Sequence, residues 1–326
     1  MLDLMNYQPK AAFSQKHLLT LQGYSADELL TVLSVALKIK TLLKKGVRPA
    51  LCPEKMLAMI FTKSSTRTRV SFETGIYQLG GAGMFLSSND IQLGRGEPIE
   101  DTAKVLGRMV DCIMIRTFKQ SDVEALAQFS GIPVINGLTD DCHPCQVLAD
   151  LLTYYEHKGS LTGKLAYVSD GNNMANSLLI GCTKLGMDVS IACPKGYEPM
   201  EKFVNWAKEN AAVSGSKVVI TDDPAEAVEG ADCIYADVWA SMGQESEAKK
   251  RQEIFSGKYC VSNALAAHAK PDYIFQHCLP AHRGEEVLSE VIDGPHSVVF
   301  DEAENRLHAQ KAVMALLMNP EGCAAL

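Results

Sequence analysis

Short apolar runs alternate with stretches of helical period along almost the whole chain, and that rhythm limits the fold more than any other feature. Met56–Phe61 (MLAMIF), residues 83–86, Cys112–Arg116 and residues 132–136 read as strands. Helical patterns separate them. One follows residue 65, one starts at Pro98, and Ser121-Asp122-Val123-Glu124 has the form of a capping box. Upstream, Ser25-Ala26-Asp27-Glu28 is a second capping box, opening a periodic stretch that stops at Lys44-Lys45-Gly46. A long helical pattern over 144–157, with Val147, Leu148, Leu151 and Leu152 on its apolar side, serves as a connector. The alternation then restarts. Strands are expected at 165–169, 189–193, Val218–Thr221, 233–237, 273–279 and 298–300, and helices at 172–185, 199–210 and 302–318. Strands divided by helices imply βαβ units and parallel sheets. With 326 residues, the expectation is an α/β chain of two domains, each a parallel sheet flanked by helices, joined by interdomain helices. The expected boundaries are 1–147 plus a C-terminal helix 309–326, and 148–308.

Composition removes several functions. A net charge of −8 argues against a general nucleic-acid binder, so any anion site must be a local concentration of positive charge. No apolar run reaches the ~18 residues that a membrane span needs. The opening residues MLDLMNYQPK carry no basic-then-apolar signal, which favours a cytoplasmic protein. Ten cysteines are scattered from Cys52 to Cys323, and those at 112, 182 and 233 sit in apolar contexts as small buried hydrophobes of a reducing compartment.

The chemistry concentrates at expected strand ends, where ligands of open parallel sheets bind, and a single interdomain site is expected. After Phe61 come Ser64, Ser65, Thr66, Arg67, Thr68 and Arg69, then a helical pattern with Val70, Ile76 and Leu79 expected inward and Gly80-Gly81 closing it. A helix N-terminus presents unpaired N–H groups and a positive dipole end. Hydroxyls add donors and Arg adds a planar fork for phosphate oxygens. Two arginines among four hydroxyl residues exceed what capping needs, so a phosphate-gripping loop is favoured over a plain N-cap with solvated arginines.

Other strand ends carry weaker signals. Arg116 is either a surface cation or a ligand fork. His143 and Gln146 sit three residues apart at a helix start, so both can face one ligand, although a capping His and a solvated Gln also fit. Cys142 and Cys145 form a C-x-x-C, a weak redox signal by itself. SDGNNMANS (169–177) follows a strand and opens a helix, but has one glycine where a dinucleotide fingerprint wants three. Asp237 offers a carboxylate to an α-ammonium, Ser241 a hydroxyl, and Gly243 permits a mobile loop. Cys278-Leu279-Pro280 leaves backbone carbonyls available to an amine or amide NH2. A Cys-His nucleophile there is the competing reading.

Ser65-Thr66-Arg67-Thr68-Arg69 resembles the STRTR signature of the carbamoyltransferases. The runs His143-Pro144-Cys145-Gln146, DVWASMGQE (237–245) and HCLPAHRG (277–284) narrow the resemblance, which spans nearly the whole chain, to the ornithine carbamoyltransferases. It implies transfer of a carbamoyl group from carbamoyl phosphate to L-ornithine, with no metal or organic cofactor. It implies that Ser65, Thr66, Arg67, Thr68, Arg116, His143, Gln146, Cys278, Leu279 and Arg306 contact carbamoyl phosphate. Of these, Arg67, Arg116, His143 and Cys278 would be catalytic. Asn173, Asp237, Ser241 and Met242 would hold ornithine. Gln92, in the polar loop 87–98, would act in the neighbouring subunit's site, which implies a homotrimer or a multiple of trimers. Ser169 departs from the glycine usual in the family's G-D-x-x-N-N pattern. Putrescine carbamoyltransferase shares the carbamoyl phosphate motifs, but putrescine has no α-carboxylate, and an intact S-M-G loop beside Asp237 favours an amino acid. An NAD-dependent oxidoreductase lacks its glycine fingerprint here, and a non-catalytic relative should have lost a motif residue.

Overall fold

The structure is a computed structural model and describes residues 2–241 and 243–326. Two compact units emerge, Met1–Leu152 with Glu304–Leu326, and Thr153–Ala303. In the first, helix α1 (Ala26–Lys44) starts from the expected capping box. Ser25 Oγ accepts from Glu28 N at 3.2 Å, and Ser25 N donates to the Glu28 carboxylate at 2.9 Å. There follow β1 (Met56–Phe61), α2 (Thr66–Gln78), β2 (Ala82–Ser87), a 3-10 turn at Gln92–Arg95, α3 (Ile99–Leu106), β3 (Cys112–Arg116), α4 (Gln120–Ser130), β4 (Val134–Leu138) and α5 (Pro144–Lys158). The four strands are parallel in the order β2-β1-β3-β4. Ala58, Ile60, Ile113, Ile115 and Val134 from the sheet pack with Ala103, Val123 and Leu126 from the helices. Strand β2 is the largely exposed edge.

The second unit holds β5 (Lys164–Val168), α6 (Asn173–Leu185), β6 (Asp188–Ala192), α7 (Glu201–Ser214), β7 (Val218–Thr221), α8 (Pro224–Val228), β8 (Cys233–Ala236), α9 (Ala248–Phe255), α10 (Asn263–Ala266), β9 (Ile274–His277) and α11 (Ser289–Ile292). Its five parallel strands run β7-β6-β5-β8-β9. Val168, Ile234, Ala236 and Phe275 form its core with Trp239, Phe255, Tyr259 and Val291. Helix α12 (Val299–Met318) and the short α13 (Pro320–Ala324) complete the chain. The divisions between units fall within α5 and α12, so these helices join the two units covalently. Among the described residues, no helix is long and apolar enough to cross a membrane.

Three local expectations are corrected. Residues 298–300 are not a strand. Ser297 forms one parallel bridge with Phe275, Val298 N donates to Phe275 O at 3.0 Å, and α12 begins at Val299. Asp301 and Glu302 in the first turn favour the helix there. Ser121 caps nothing: α4 starts one residue earlier from Lys119, without a side-chain cap. On α2 the inward face is Thr68, Phe72, Ile76 and Leu79, while Val70 is exposed. Thr68, Phe72, Ile76 and Leu79 recur at steps of three and four; Val70 falls between them.

Candidate active site

Each sheet reverses its strand order once, between β1 and β3 in the first unit and between β5 and β8 in the second. The carboxyl ends of such strands form the ligand crevice of open α/β sheets.

In the first unit, β1 runs into the STRTR loop. Ser65, in extended conformation, caps α2 and accepts from Thr68 N at 3.1 Å. No acid stands in the first turn of α2, so its positive end is not offset locally. Arg116 ends β3 and is buried. Arg306 of α12, also buried, donates from Nη1 to Gln146 Oε1 at 2.6 Å and from Nη2 to Thr68 Oγ1 at 3.3 Å. Gln146 Nε2 in turn donates to Asp150 Oδ1 at 2.8 Å. With its amide oxygen turned to Arg306, Gln310 accepts from Nη2 at 2.8 Å and from Nε at 3.1 Å. His143 is buried among these groups. Burial, reinforced by the charges of Arg306, Arg116 and Arg67, holds its imidazole well below the ordinary pKa, so it is neutral and can donate one N–H.

The first unit thus gathers Ser65, Arg67, Thr68, Arg116, His143, Gln146 and Arg306. Thr66, the first residue of α2, is exposed at the same helix end. Gln92 stands apart on the exposed 3-10 turn. Arg69 turns outward, 3.7 Å over the Phe85 ring and 3.3 Å from Glu73. Sequence reasoning passed over Lys63, a third cation of the loop. It is buried, paired with Asp140 at 2.5 Å, and lies 4.1 Å from the centre of the Phe118 ring. Cys142 and Cys145 form no disulfide. Their sulfurs face Leu19 O at 3.5 Å and Asn136 O at 3.4 Å respectively, and burial pushes the Cys145 thiol up to about 12.

In the second unit, β5 exits into Ser169–Asn172 and β8 into Asp237. Asn172 is one hub of this end. It caps α6, its Oδ1 accepting from Met174 N at 2.8 Å and Ala175 N at 3.4 Å. Its Nδ2 donates to Asp237 Oδ2 at 2.7 Å and reaches Ser241 Oγ at 3.5 Å. Asp237 Oδ1 accepts from Val238 N at 2.8 Å and from Cys278 Sγ at 3.1 Å. The unusual Ser169 donates to the Asp237 carbonyl at 2.6 Å. Asn173 is buried in the first turn of α6, where its carbonyl accepts from Ser177 Oγ. Gly171 is required by close approach, since a Cβ there would lie 2.3 Å from backbone atoms of Glu198 and Pro199. The N-cap preference for Asn was the signal that could have singled out Asn172.

The loop after β8 is tied back by Arg251, whose Nη1 donates to Asp170 Oδ2 at 2.7 Å and to Trp239 O at 3.0 Å. Burial pushes the Asp170 carboxyl up to about 6, with Arg251 opposing that rise and the charge of Asp237 adding to it. Ser241 N donates to Gln244 Oε1 at 3.0 Å. Met242, expected to hold ornithine, lies outside the described residues. Leu279 adopts φ 56, and its N–H donates to His277 Nδ1 at 2.9 Å.

Two parallel-sheet units, one with a cationic cradle on a helix N-terminus and one with an anchored carboxylate at a switch point, define a two-domain α/β enzyme with an anion-binding half. Residues 16–156 match the aspartate/ornithine carbamoyltransferase carbamoyl-P binding domain, and residues 162–317 match the Asp/Orn binding domain. The chain belongs to the aspartate/ornithine carbamoyltransferase family. It is 58% identical over 304 residues to an ornithine carbamoyltransferase of Thermococcus kodakarensis, covering 93% of this chain and 96% of the relative. It is 57% identical to one of Bacillus subtilis, covering 93% and 94%. The solved ornithine carbamoyltransferase of Pyrococcus furiosus superposes with a TM-score of 0.91 at 56% identity, covering 94% of this chain and 98% of that one.

Proposed function

We propose that the chain transfers the carbamoyl group of carbamoyl phosphate to the δ-amine of L-ornithine, giving L-citrulline and phosphate. The observation that carries the choice of acceptor is the Asp237 carboxylate, fixed by Asn172 and Cys278 beside Ser241. That anchored anion suits the α-ammonium of an amino acid, with Asn173, Ser241 and Met242 completing its recognition. The domain 1–147 plus 309–326 takes carbamoyl phosphate, and 148–308 takes ornithine. Ser65, Thr66, Arg67 and Thr68 hold the phosphate on the α2 N-terminus.

The neutral δ-amine attacks the carbamoyl carbon, and the carbonyl electrons move onto oxygen. Thr68, Arg116 and the neutral His143 donate to that developing oxyanion. One such donor is typically worth about 3 kcal/mol. Gln146 and the Cys278 and Leu279 carbonyls orient the carbamoyl NH2, while Arg306 holds Gln146 in place. The tetrahedral intermediate then collapses: the C=O bond re-forms, the C–O bond to phosphate breaks with the electron pair going to phosphate, and a proton from the attacking nitrogen passes to the departing phosphate. Positioning supplies much of the acceleration.

Citrulline formation from carbamoyl phosphate, with ornithine and putrescine run in parallel, tests the reading. Preference for ornithine is expected; preference for putrescine would overturn the roles of Asn173, Asp237 and Ser241. The exposed Gln92 and the exposed edge strand β2 support a homotrimer or multiple of trimers, with Gln92 serving a neighbouring site. A light-scattering mass that is not a multiple of three chains removes that assignment. Ten cysteines, none in a disulfide, support a cytoplasmic location, which cell fractionation checks.

A further inference from the structure

Outside the groups used above, the second unit carries a cluster to which the proposed mechanism gives no role. His282, Glu285 and Glu286 lie on the turn that follows the Cys278–Leu279 segment. One ligand atom from each, an imidazole nitrogen and two carboxylate oxygens, all fall within 4.8 Å of one another. His282 Nδ1 is 3.8 Å from Glu286 Oε2 and 3.9 Å from Glu285 Oε2.

Glu286 makes this more than a surface cluster. Its side chain is fully buried. Its Oε1 is occupied, accepting from His282 N at 2.6 Å and bonded to His277 Nε2 at 3.2 Å. Its Oε2 is buried and, among the described residues, has no hydrogen-bond partner. A buried carboxylate oxygen without a partner is costly, and this one faces His282 Nδ1. The cation in the middle of the turn is also withdrawn, since Arg283 is bound through Nε and Nη2 to Asp293 at 2.9 and 2.6 Å.

We propose that His282, Glu285 and Glu286 form a binding site for one divalent transition-metal ion of the Zn2+ class. One imidazole and two carboxylates suit Zn2+ or Co2+ better than the all-oxygen shells of Ca2+ and Mg2+. Metal–ligand distances of about 2.0–2.2 Å place tetrahedral ligands roughly 3.3–3.6 Å apart. The two His282–carboxylate distances therefore need to close by only a few tenths of an ångström. The two carboxylate oxygens, which lie within 4.8 Å of each other, need to close by about 1 Å at most, through the exposed Glu285 side chain. His282 and Glu285, with side chains 54% and 43% exposed, have the freedom to do so, while buried Glu286 is the fixed member. His277 orients the Glu286 carboxylate from behind, as outer-shell partners of metal ligands do. Three protein ligands leave a fourth position for water.

The test is titration of the chelator-treated full chain with Co2+, read by its d–d absorption, and with Zn2+, read by calorimetry. The expected result is one saturable site per chain without a thiolate–Co2+ charge-transfer band, together with a Zn2+-dependent rise in Tm. His282→Ala and Glu285→Gln, both at exposed positions, should each weaken binding by at least about tenfold and remove the Tm rise, leaving the metal-free Tm unchanged. Absence of saturable binding, equal affinity in both variants, or a thiolate band would each overturn the proposal.

Discussion

Helices α2 and α6 both follow the first strand at a switch point, yet their N-termini are put to opposite uses. On α2 the cap is a serine, the first turn has no acid, and Arg67 stands within it. The pole is left positive, and Arg116 and Arg306 add to it, as their depression of His143 records. On α6 the cap is Asn172, whose oxygen satisfies two of the helix's own N–H groups and whose amide nitrogen is given to Asp237. The cap of α6 is therefore spent on its own helix and on holding a carboxylate. One sheet architecture yields a cationic cradle in one unit and an anchored anion in the other. That division matches a doubly charged phosphate donor and an acceptor with an ammonium group.

Removing the charge from the first cradle should cost the most. Arg67→Ala is expected to weaken carbamoyl phosphate binding and slow turnover together, lowering kcat/KM about 100- to 1,000-fold. Steady-state kinetics varying carbamoyl phosphate would show it. In the second unit the loss should fall on the other substrate. Asp237→Ala should raise the ornithine KM roughly 10- to 100-fold, the worth of a charged hydrogen bond, with carbamoyl phosphate affinity retained. Asn172→Ala should move in the same direction by less, because the carboxylate remains but loses its anchor. Normal ornithine affinity in both variants would erase the contrast between the two helix ends.

How much of this was legible depended on range along the chain. The central strands of both sheets were readable because burial on both faces writes continuous apolar runs such as MLAMIF. The Ser25 box was readable because its partners lie three residues apart. Ser121 was not, because a capping-box pattern says nothing of whether the helix has already begun. Val70 and residues 298–300 misled for a similar reason: an apolar residue does not reveal which face packs, and three apolar residues do not distinguish a strand from a helix start. Asn172, the neighbour of the expected Asn173, was not singled out because its contact with Asp237 lies 65 residues later. The Arg306–Thr68 bond spans 238 residues, and only the family resemblance pointed to Arg306.

Burial of His143 among the arginines of the first unit carries a pH signature opposite in sign to that of the raised Asp170 carboxyl in the second. His143 stays neutral in the folded chain well below 6.5, its ordinary value, which it regains on unfolding. Below about pH 6.5 the unfolded chain therefore binds the extra proton, and stability falls as pH falls, by up to ~1.4 kcal/mol per pH unit. Denaturant unfolding of the wild type and of His143→Gln between about pH 5 and 8 measures this. The wild-type acid limb should be steeper, and the curves should run parallel above about pH 7. Parallel curves throughout would mean that burial and the three arginines do not hold the imidazole neutral.

The smallest effect tests the finest difference between the two units. Ser169 stands where the family pattern usually has glycine, and its hydroxyl ties β5 to β8 through the Asp237 carbonyl. Ser169→Ala removes that bond without adding backbone freedom. It should cost about 1 kcal/mol of stability, read as a small fall in the denaturant midpoint. The Asp237 side chain keeps its own bonds to Asn172, Val238 and Cys278, so the ornithine KM should change less than about threefold. A larger change in KM than in stability would reassign Ser169 from bracing the sheet to setting the carboxylate's position. The anchored anion of the second unit would then depend on its backbone as much as on Asn172.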